Sequence, residues 1–351
     1  MKRSVRLADV AKAARVSQGT ASNVFNRPEL VRAEVRDRVK QSAQTLGYSG
    51  PDPKGRLLRA GKVNAIGMVA AKDMARFFDD PFHRLLMAGI AEVCDEHGAG
   101  IALVSATSHH SAAWSVETAL VDGFIVHCLE DGDRLMALAR KRNLPFVAID
   151  LDAGPGTSSV LIDDHRGAAM AARHLLGLGH RKIALLSLDT RGDGRFGPAS
   201  AERLRSARYK PVRDRLAGYA EALAGRGIEL ERLPIMEAPN DRQAAVGYAD
   251  ELLSRAPDAT AIIAMSDVLA LAAIEAAEKR GWRVPEDLSV IGFDDIPDAT
   301  PRLTTISQPI VEKGRRAAKL IFEGGPPRTE ILPVKLVKRA STARCRGSRR
   351  R

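Results

Sequence analysis

VRLADVAKAARVSQGTASNVFN, residues 5–26, decides how the chain begins. Leu7, Val10, Ala11 and Ala14 fall at i, i+3, i+4 and i+7, one apolar stripe of an α-helix. A turn follows at Arg15-Val16. Ser17 then stands as an N-cap, its hydroxyl placed to accept from a backbone N–H two or three residues on. The second helix has Ala21, Val24 and Phe25 on one side and Gln18, Gly19, Ser22, Asn23 and Asn26 on the other. Gln18 and Ser22, like Gly19 and Asn23, are i, i+4 neighbours and share one outward strip. Val35, Val39 and Leu46 give a third helix, so residues 1–48 read as a small helical bundle. A second helix with such a polar outer face is the part of a helix–turn–helix that enters the major groove. Glutamine and asparagine pair twice with the edge of adenine, and serine bonds several bases or a phosphate. A plain helical hairpin would show the same pattern.

The charge distribution separates these readings. Residues 1–62 hold 14 Lys/Arg against 5 Asp/Glu, net +9. Residues 63–334 hold 32 against 38, net −6, and residues 335–351 hold 8 against none. A basic head on an acidic body points to a polyanionic partner for the head.

Residues 51–62, PDPKGRLLRAGK, place Leu57 and Leu58 among Lys54, Arg56, Arg59 and Lys62. Asp52 is a good N-cap, Pro53 suits the first helical position and Gly61 ends the helix. A helix of about eight residues with an internal glycine is marginal alone and needs a surface on which to fold. DNA offers one: the basic residues meet phosphates and a leucine wedges between base steps in the minor groove. The alternative is that either leucine packs against the body of the protein.

Beyond residue 62, apolar runs alternate with amphipathic helical stretches. Strands are expected at 63–70, 100–105, 123–127, 145–150, 159–162, 182–187, 260–265 and 288–293. Helices are expected at 82–97, 132–142, 165–178, 213–225, 241–255 and 267–280. The alternation means α/β with parallel sheets, in two doubly wound lobes or one barrel.

The stretches LADVAKAARVSQGTASNVFN and RVKQSAQTLGY resemble the DNA-binding headpiece of the lactose-repressor (LacI/GalR) family of bacterial transcription regulators. PDPKGRLLRAGK resembles that family's hinge. HLLGLGHRKIALL, RLAGY, SDVLALAAIEAAEKRGWRVPEDLSVIGFDD, PRLTTISQP and LVKRAST resemble its core. The motifs run in order from about residue 5 to 342. The resemblance implies an N-terminal all-α helix–turn–helix headpiece (1–48) and a hinge helix (49–62). An α/β two-lobed, periplasmic-binding-protein-like core with parallel sheets follows (63–340), the second lobe spanning about 163–305, and then a basic disordered tail (341–351). It implies DNA contacts from Gln18, Gly19, Thr20, Ser22, Asn23, Asn26, Arg32 and Arg56, with Leu58 intercalating beside its copy from a second subunit. The implied partners are double-stranded operator DNA, a small-molecule effector of carbohydrate type, and a second copy of the chain in a homodimer. The family's tetramers use a C-terminal leucine heptad, which the tail lacks.

Three departures stand out. Asn23 stands where the family commonly has Arg. Arg6 and Arg32 stand where Ser or Thr often caps a helix, a loss of typically ~1 kcal/mol each. Arg32 reads as a phosphate contact or a simple surface arginine. Ser266 stands where Asn is frequent, which weakens the match to lactose-like ligands.

In the body, polar residues cluster after strands, where open α/β sheets bind ligands. By the resemblance, Asp150, Arg215 and Asp294 match ligand-contacting positions, Asp80 and Phe82 match the first-lobe Asn-Pro-Phe segment, and Ser266 joins them. Carboxylates and an arginine fork hold sugar hydroxyls in pairs. Asp267 reads as a cap of the following helix and Asp295 as structural. GDGRFG (192–197) matches the glycine spacing of a dinucleotide site, but four residues separate it from its strand and Pro198 follows at once. A mobile surface loop is the expectation there, against the rival of a nucleotide-dependent oxidoreductase. A solute-binding protein is the other rival, opposed by the headpiece and by a start without an apolar signal segment. No metal-ligand spacing or nucleophile motif occurs, so no cofactor, metal or enzymatic activity is expected. Cys94, Cys128 and Cys345 form no CxxC, which fits a reduced, cytoplasmic protein with no membrane partner.

Overall fold

The computed structural model describes residues 5–50, 61–70, 74–105, 116–127, 137–138, 140–151, 153–299 and 301–345. The expected hinge helix with Arg56 and Leu58, most of the helix expected at 132–142, Cys128 and tail residues 346–351 lie outside them. The chain divides into two compact units, Met1–Val63 and Asn64–Arg351.

The first unit is α1 (Leu7–Ala13), α2 (Gln18–Asn26) and α3 (Ala33–Leu46) around Val10, Ala14, Ala21, Val24, Val39 and Ala43. Ala43, not Leu46, completes the buried face of α3. Leu46 is exposed at the helix end, beside Gly47 in the left-handed region. The turn passes through Arg15 at φ 54°, a conformation that costs an L-residue roughly 1–2 kcal/mol. It is held by Val16 N–H donating to Ala11 O at 3.0 Å and by the Arg38 guanidinium donating to Ala14 O at 2.9 Å. Ser17 caps α2, accepting from Thr20 N–H at 3.0 Å. Arg6 supplies no side-chain cap, but Asp9 accepts from Arg6 N–H at 2.9 Å and restores one bond of a capping box.

The second unit has two sheets. One contains β1 (Ala65–Ala70), β2 (Gly100–Ser105), β3 (Gly123–His127), β4 (Phe146–Ile149), β5 (Ser158–Ile162) and the late strand β12 (Thr329–Leu332), in the order β12-β5-β4-β3-β1-β2 and wholly parallel. The other contains β6 (Ile183–Ser187), β7 (Gly197–Pro198), β8 (Ile235–Glu237), β9 (Ala261–Ala264), β10 (Ser289–Asp294), β11 (Thr304–Ser307) and β13 (Lys335–Val337), in the order β13-β11-β10-β9-β6-β8-β7. Only its edge strands β7 and β13 run antiparallel. The central strands β6, β9 and β10 are buried at every residue, because helices cover both faces of a parallel sheet. This is the two-lobed architecture expected from the motifs rather than a barrel. The chain passes between lobes after β5, after β11 and after β12.

Helices α4 (Met74–Asp79), α5 (Pro81–Glu96) and α11 (Ile310–Glu323) belong to the first lobe. Helices α6 (Asp164–Gly177), α7 (Ala201–Arg205), α8 (Lys210–Ala224), α9 (Arg242–Arg255) and α10 (Asp267–Lys279) belong to the second. α5 and α11 cross at backbone contact. A Cβ on Gly314 would lie 2.2 Å from Leu86 O, and one on Gly89 would lie 1.9 Å from Val311 O. Two glycines thus let α11 approach closely enough to carry its side chains to the lobe boundary.

Candidate functional site

Two surfaces carry chemistry, one in each unit. On α2, Gln18, Gly19, Asn23 and Asn26 are exposed, while Thr20 and Ser22 are half-buried. Thr20 Oγ1 lies 2.9 Å from the capping Ser17 hydroxyl. Asn26 Nδ2 donates to Ser22 O at 3.0 Å and to Ser22 Oγ at 3.2 Å, which fixes that amide along the helix. Gln18 and Asn23 are thereby the outward residues with the longest free reach. Arg32 is exposed at the start of α3 and makes no capping bond.

In the second unit, the C-terminal strand ends of the two sheets bring six sequence-singled residues into one polar network. In the first lobe, Asp80 caps α5, accepting from Phe82 N–H at 3.0 Å, and receives Asn240 Nδ2 of the second lobe at 3.2 Å. His83 Nε2 lies 3.2 Å from His127 Nδ1, and His127 Nε2 lies 3.5 Å from Asp150 Oδ2. Phe82 stacks on the His127 ring with centroids 5.0 Å apart. Lys313, wholly buried, donates to Asp150 Oδ2 at 2.6 Å and to Gln308 Oε1 at 2.7 Å. Gln308 Nε2 donates onward to Asp294 Oδ1 at 2.6 Å.

In the second lobe, Arg215 donates through Nε to Asp164 Oδ1 at 2.8 Å and through Nη1 to the Met265 carbonyl. Its guanidinium lies 3.6 Å over the Phe293 ring, and its Nη2 lies 3.9 Å from Asp294. Ser266 accepts from Leu269 N–H at 3.1 Å, capping α10, and donates to Asn240 Oδ1 at 2.6 Å. The cap is therefore Ser266, correcting the reading of Asp267. Asp267 is fully buried and accepts from Thr305 Oγ1 at 2.6 Å and Ile296 N–H at 3.0 Å. Asp295 binds Arg339 at 2.6 Å, a structural role.

The backbone is bent where these carboxylates emerge: φ is 52° at Asp150 and 124° at Asp294. Aspartate tolerates such angles better than most residues, and strain of this kind clusters at binding sites. Burial sets the charges. It pushes His127 down to about 4, against the opposing hydrogen bond that its ring makes to Asp150. It raises Asp294 well above the carboxylate range, with Arg215 pulling the other way. Burial would raise Asp150 too, but the charge of Lys313 and the His127 contact outweigh it and hold the group below its ordinary value.

The motif reading missed His83, His127, Asn240, Gln308 and Lys313. Two left a signal. Lys313 lies in the apolar stripe Ile310, Gly314, Ala317, Ile321 of α11, and His83 lies in the stripe Leu86, Ile90, Val93 of α5. A polar residue in such a stripe is buried and must find a partner.

The GDGRFG loop is tied down rather than loose. Asp189 accepts from the N–H groups of Arg191, Gly192 and Gly194 at 2.8–3.0 Å. Arg203 bridges Asp193 and the buried Glu237. The amides that would cradle a phosphate already face a carboxylate. Among the described residues no group of side chains is arranged to hold a metal ion, and no helix is long and apolar enough to cross a membrane.

A helix–turn–helix unit and a two-lobed core with a polar strand-end site, in one chain, define a DNA-binding regulator with a small-molecule-type binding core. The profile described as bacterial regulatory proteins, lacI family, matches residues 6–50, and that of the periplasmic binding protein-like domain matches residues 172–342. An HTH-type transcriptional regulator of Mycobacterium tuberculosis is 38% identical over 346 residues, 96% of each chain. A structure of the transcriptional regulator CelR in complex with cellobiose superposes with TM-score 0.68 at 28% identity, covering 96% of this chain and 100% of that one. The lac repressor dimer bound to operator and the anti-inducer ONPF superposes with TM-score 0.72 at 28% identity, covering 97% and 100%. The chain belongs to the lacI family of bacterial regulatory proteins and is a DNA-binding transcriptional regulator, not an enzyme.

Proposed function

We propose that the protein is a cytoplasmic, homodimeric repressor whose operator affinity is set by a sugar or related polar metabolite bound between the lobes. The observation that carries this reading is the network at the strand ends. Asp80, Phe82 and Asp150 of the first lobe and Arg215, Ser266 and Asp294 of the second stand at facing strand ends linked by hydrogen bonds across the lobes, so a molecule seated there would contact both lobes at once. The cellobiose and operator complexes of its structural relatives support the two halves of the reading. The proposed organisation is a headpiece at 1–48, a hinge helix at 49–62 and a core from 63; the tail expected at 341–351 starts later than the motifs imply, because Ser341 is buried and donates to Val290 O at 2.6 Å, and Cys345 N–H donates to Leu178 O at 2.8 Å. Gln18, Gly19, Thr20, Ser22, Asn23 and Asn26 read or position the major groove, Arg32 and Arg56 meet phosphates, and Leu58 enters the minor groove.

The test has two arms. Genome-wide footprinting identifies the operator and, from the neighbouring genes, candidate ligands. Arg215→Ala and Asp294→Ala are then measured for operator binding with and without those compounds. Both variants should bind operator and ignore ligand; a full ligand response in both would place the sensor elsewhere. Sedimentation of the intact protein as a monomer or tetramer would contradict the dimer.

A further inference from the structure

A buried lysine and a buried arginine beside a ligand site look like receptors for a phosphate or carboxylate. Their partners say otherwise. Lys313 is fully buried between Asp150 and Gln308, with Phe82 across its remaining side at 5.5 Å. Arg215 is 5% exposed and is held by Asp164, the Met265 carbonyl and the Phe293 face. The His127 ring is neutral near pH 7, because burial opposes its charging. The amide of Asn240 and the hydroxyl of Ser266 donate to Asp80 and to Asn240 respectively.

Among the described residues, four carboxyl groups, Asp80, Asp150, Asp164 and Asp294, stand with two cations, Lys313 and Arg215. Asp150 Oδ1 is buried and has no hydrogen-bond partner among the described residues, on a residue only 5% exposed. An unpaired buried carboxylate oxygen costs stability until a donor reaches it. A ligand hydroxyl is such a donor. An added anion would bring more acceptors beside Asp150, which Lys313 holds ionised, and like charges brought together out of water repel strongly.

Resting on the ligand-binding reading above, we infer that this site takes an uncharged polyhydroxyl compound and rejects its phosphorylated and acidic counterparts. Lys313 is then a positioning residue. It holds Asp150 ionised and turns Oδ1 toward the ligand, and it does not anchor a phosphate. The regulator reports the free compound, so the reaction that removes its signal is one that adds charge, such as phosphorylation or oxidation to an acid.

The experiment uses the purified full-length protein without DNA. Thermal shift followed by calorimetry compares matched sets: free sugars and polyols, their phosphate esters, their aldonic and uronic acids, and their amino derivatives. Only uncharged members should bind, with affinities nearly unchanged across a tenfold range of salt, since a neutral ligand brings no charge to screen. Asp150→Asn keeps the shape but loses the strong acceptor, and should weaken an uncharged hit at least about tenfold, the scale of one charged hydrogen bond. A phosphate ester, acid or amine that binds more tightly than its uncharged parent overturns the inference, as does a set in which no uncharged member binds. Asp294→Ala separates the two readings. If it loses the hit, the strand-end site is the sensor whichever charge class wins. If it keeps the hit, the site itself is misplaced.

Discussion

His127 shows how burial alone chooses a charge. Its ring is stacked on Phe82 and sits between His83 and Asp150. Desolvation pushes the group down to about 4, from an ordinary value near 6.5 when unfolded. Because the folded value is the lower one, the unfolded chain takes up the extra proton between about pH 6.5 and 4. Stability from this residue is present above that window and lost as pH falls through it, by about 3 kcal/mol in all. Unfolding free energies of wild type and His127→Gln, measured across the window, should therefore diverge as pH rises, the wild type gaining. A constant difference would mean that the folded ring is charged. Asp267 has the opposite sign. Burial raises it to about 6, so its contribution is present below the ordinary carboxylate value and is lost as pH rises through 6. Stability of Asp267→Asn should fall less than wild type over that rise. In the headpiece, Asn23 is exposed and free of the intrahelical bonds that hold Asn26. Asn23→Ala should change preference at one operator position by ~1–3 kcal/mol, read by selection from a random DNA library. An unchanged selected site would remove Asn23 from the readers.

At the scale of elements, the α5–α11 crossing controls where Lys313 stands. Gly314 meets Leu86 O where a Cβ would have to go. Gly314→Ala must push the helices apart, a small-to-large change worth typically ~1–3 kcal/mol. Ligand response should weaken with it, since Lys313 is the adjacent residue on the same helix. Gly247, inside α9, has nothing within 4 Å of its would-be Cβ, so Gly247→Ala should gain up to about 1 kcal/mol in a denaturant melt. If both changes cost the same, the crossing is not the constraint. The same helix shows how much the sequence declares. The eight expected strands all form, within about two residues, because buried parallel strands are short, nearly uninterrupted apolar runs. α4, α7, α11, β7, β8, β11, β12 and β13 are not read from periodicity. β8 and the edge strands β12 and β13 are three or four residues long, too short to show a period, and α11 is Lys/Arg-rich with a lysine inside its apolar face. The site divides in the same way. Asp150, Ser266 and Asp294 are legible because they end recognisable strands, and Gln308 is not, because its strand β11 was not. Asn240 has no local signal at all; only the packing of one lobe on the other brings it to Asp80 at 3.2 Å.

For the whole molecule, charge is arranged by function. The head to residue 62 carries +9 and the body to residue 334 carries −6. The basic head is attracted to any duplex, and the acidic body adds no such attraction. With about 6–10 phosphate contacts, operator affinity should fall ~10³–10⁵ between about 50 and 200 mM salt. A flat response would sink the headpiece reading. That attraction is sequence-blind, so specific binding needs a second source of energy, which the proposed hinge helix would supply. A helix of about eight residues with Gly55 inside it does not persist alone. On the proposed reading it would form when phosphates meet Lys54, Arg56 and Arg59 and a leucine enters between base steps. Leu58→Ala removes the wedge and keeps every charge. Specific binding should weaken by a few kcal/mol, the scale of holding one base step unstacked, while non-specific binding hardly changes. Because the hinge population is what ligand would shift, the effect of ligand on operator affinity should shrink in the same variant. Both affinities, each with and without ligand, decide the matter. Equal losses on operator and random DNA would make Leu58 a packing residue and leave the coupling between the body and the DNA to be carried by charge alone.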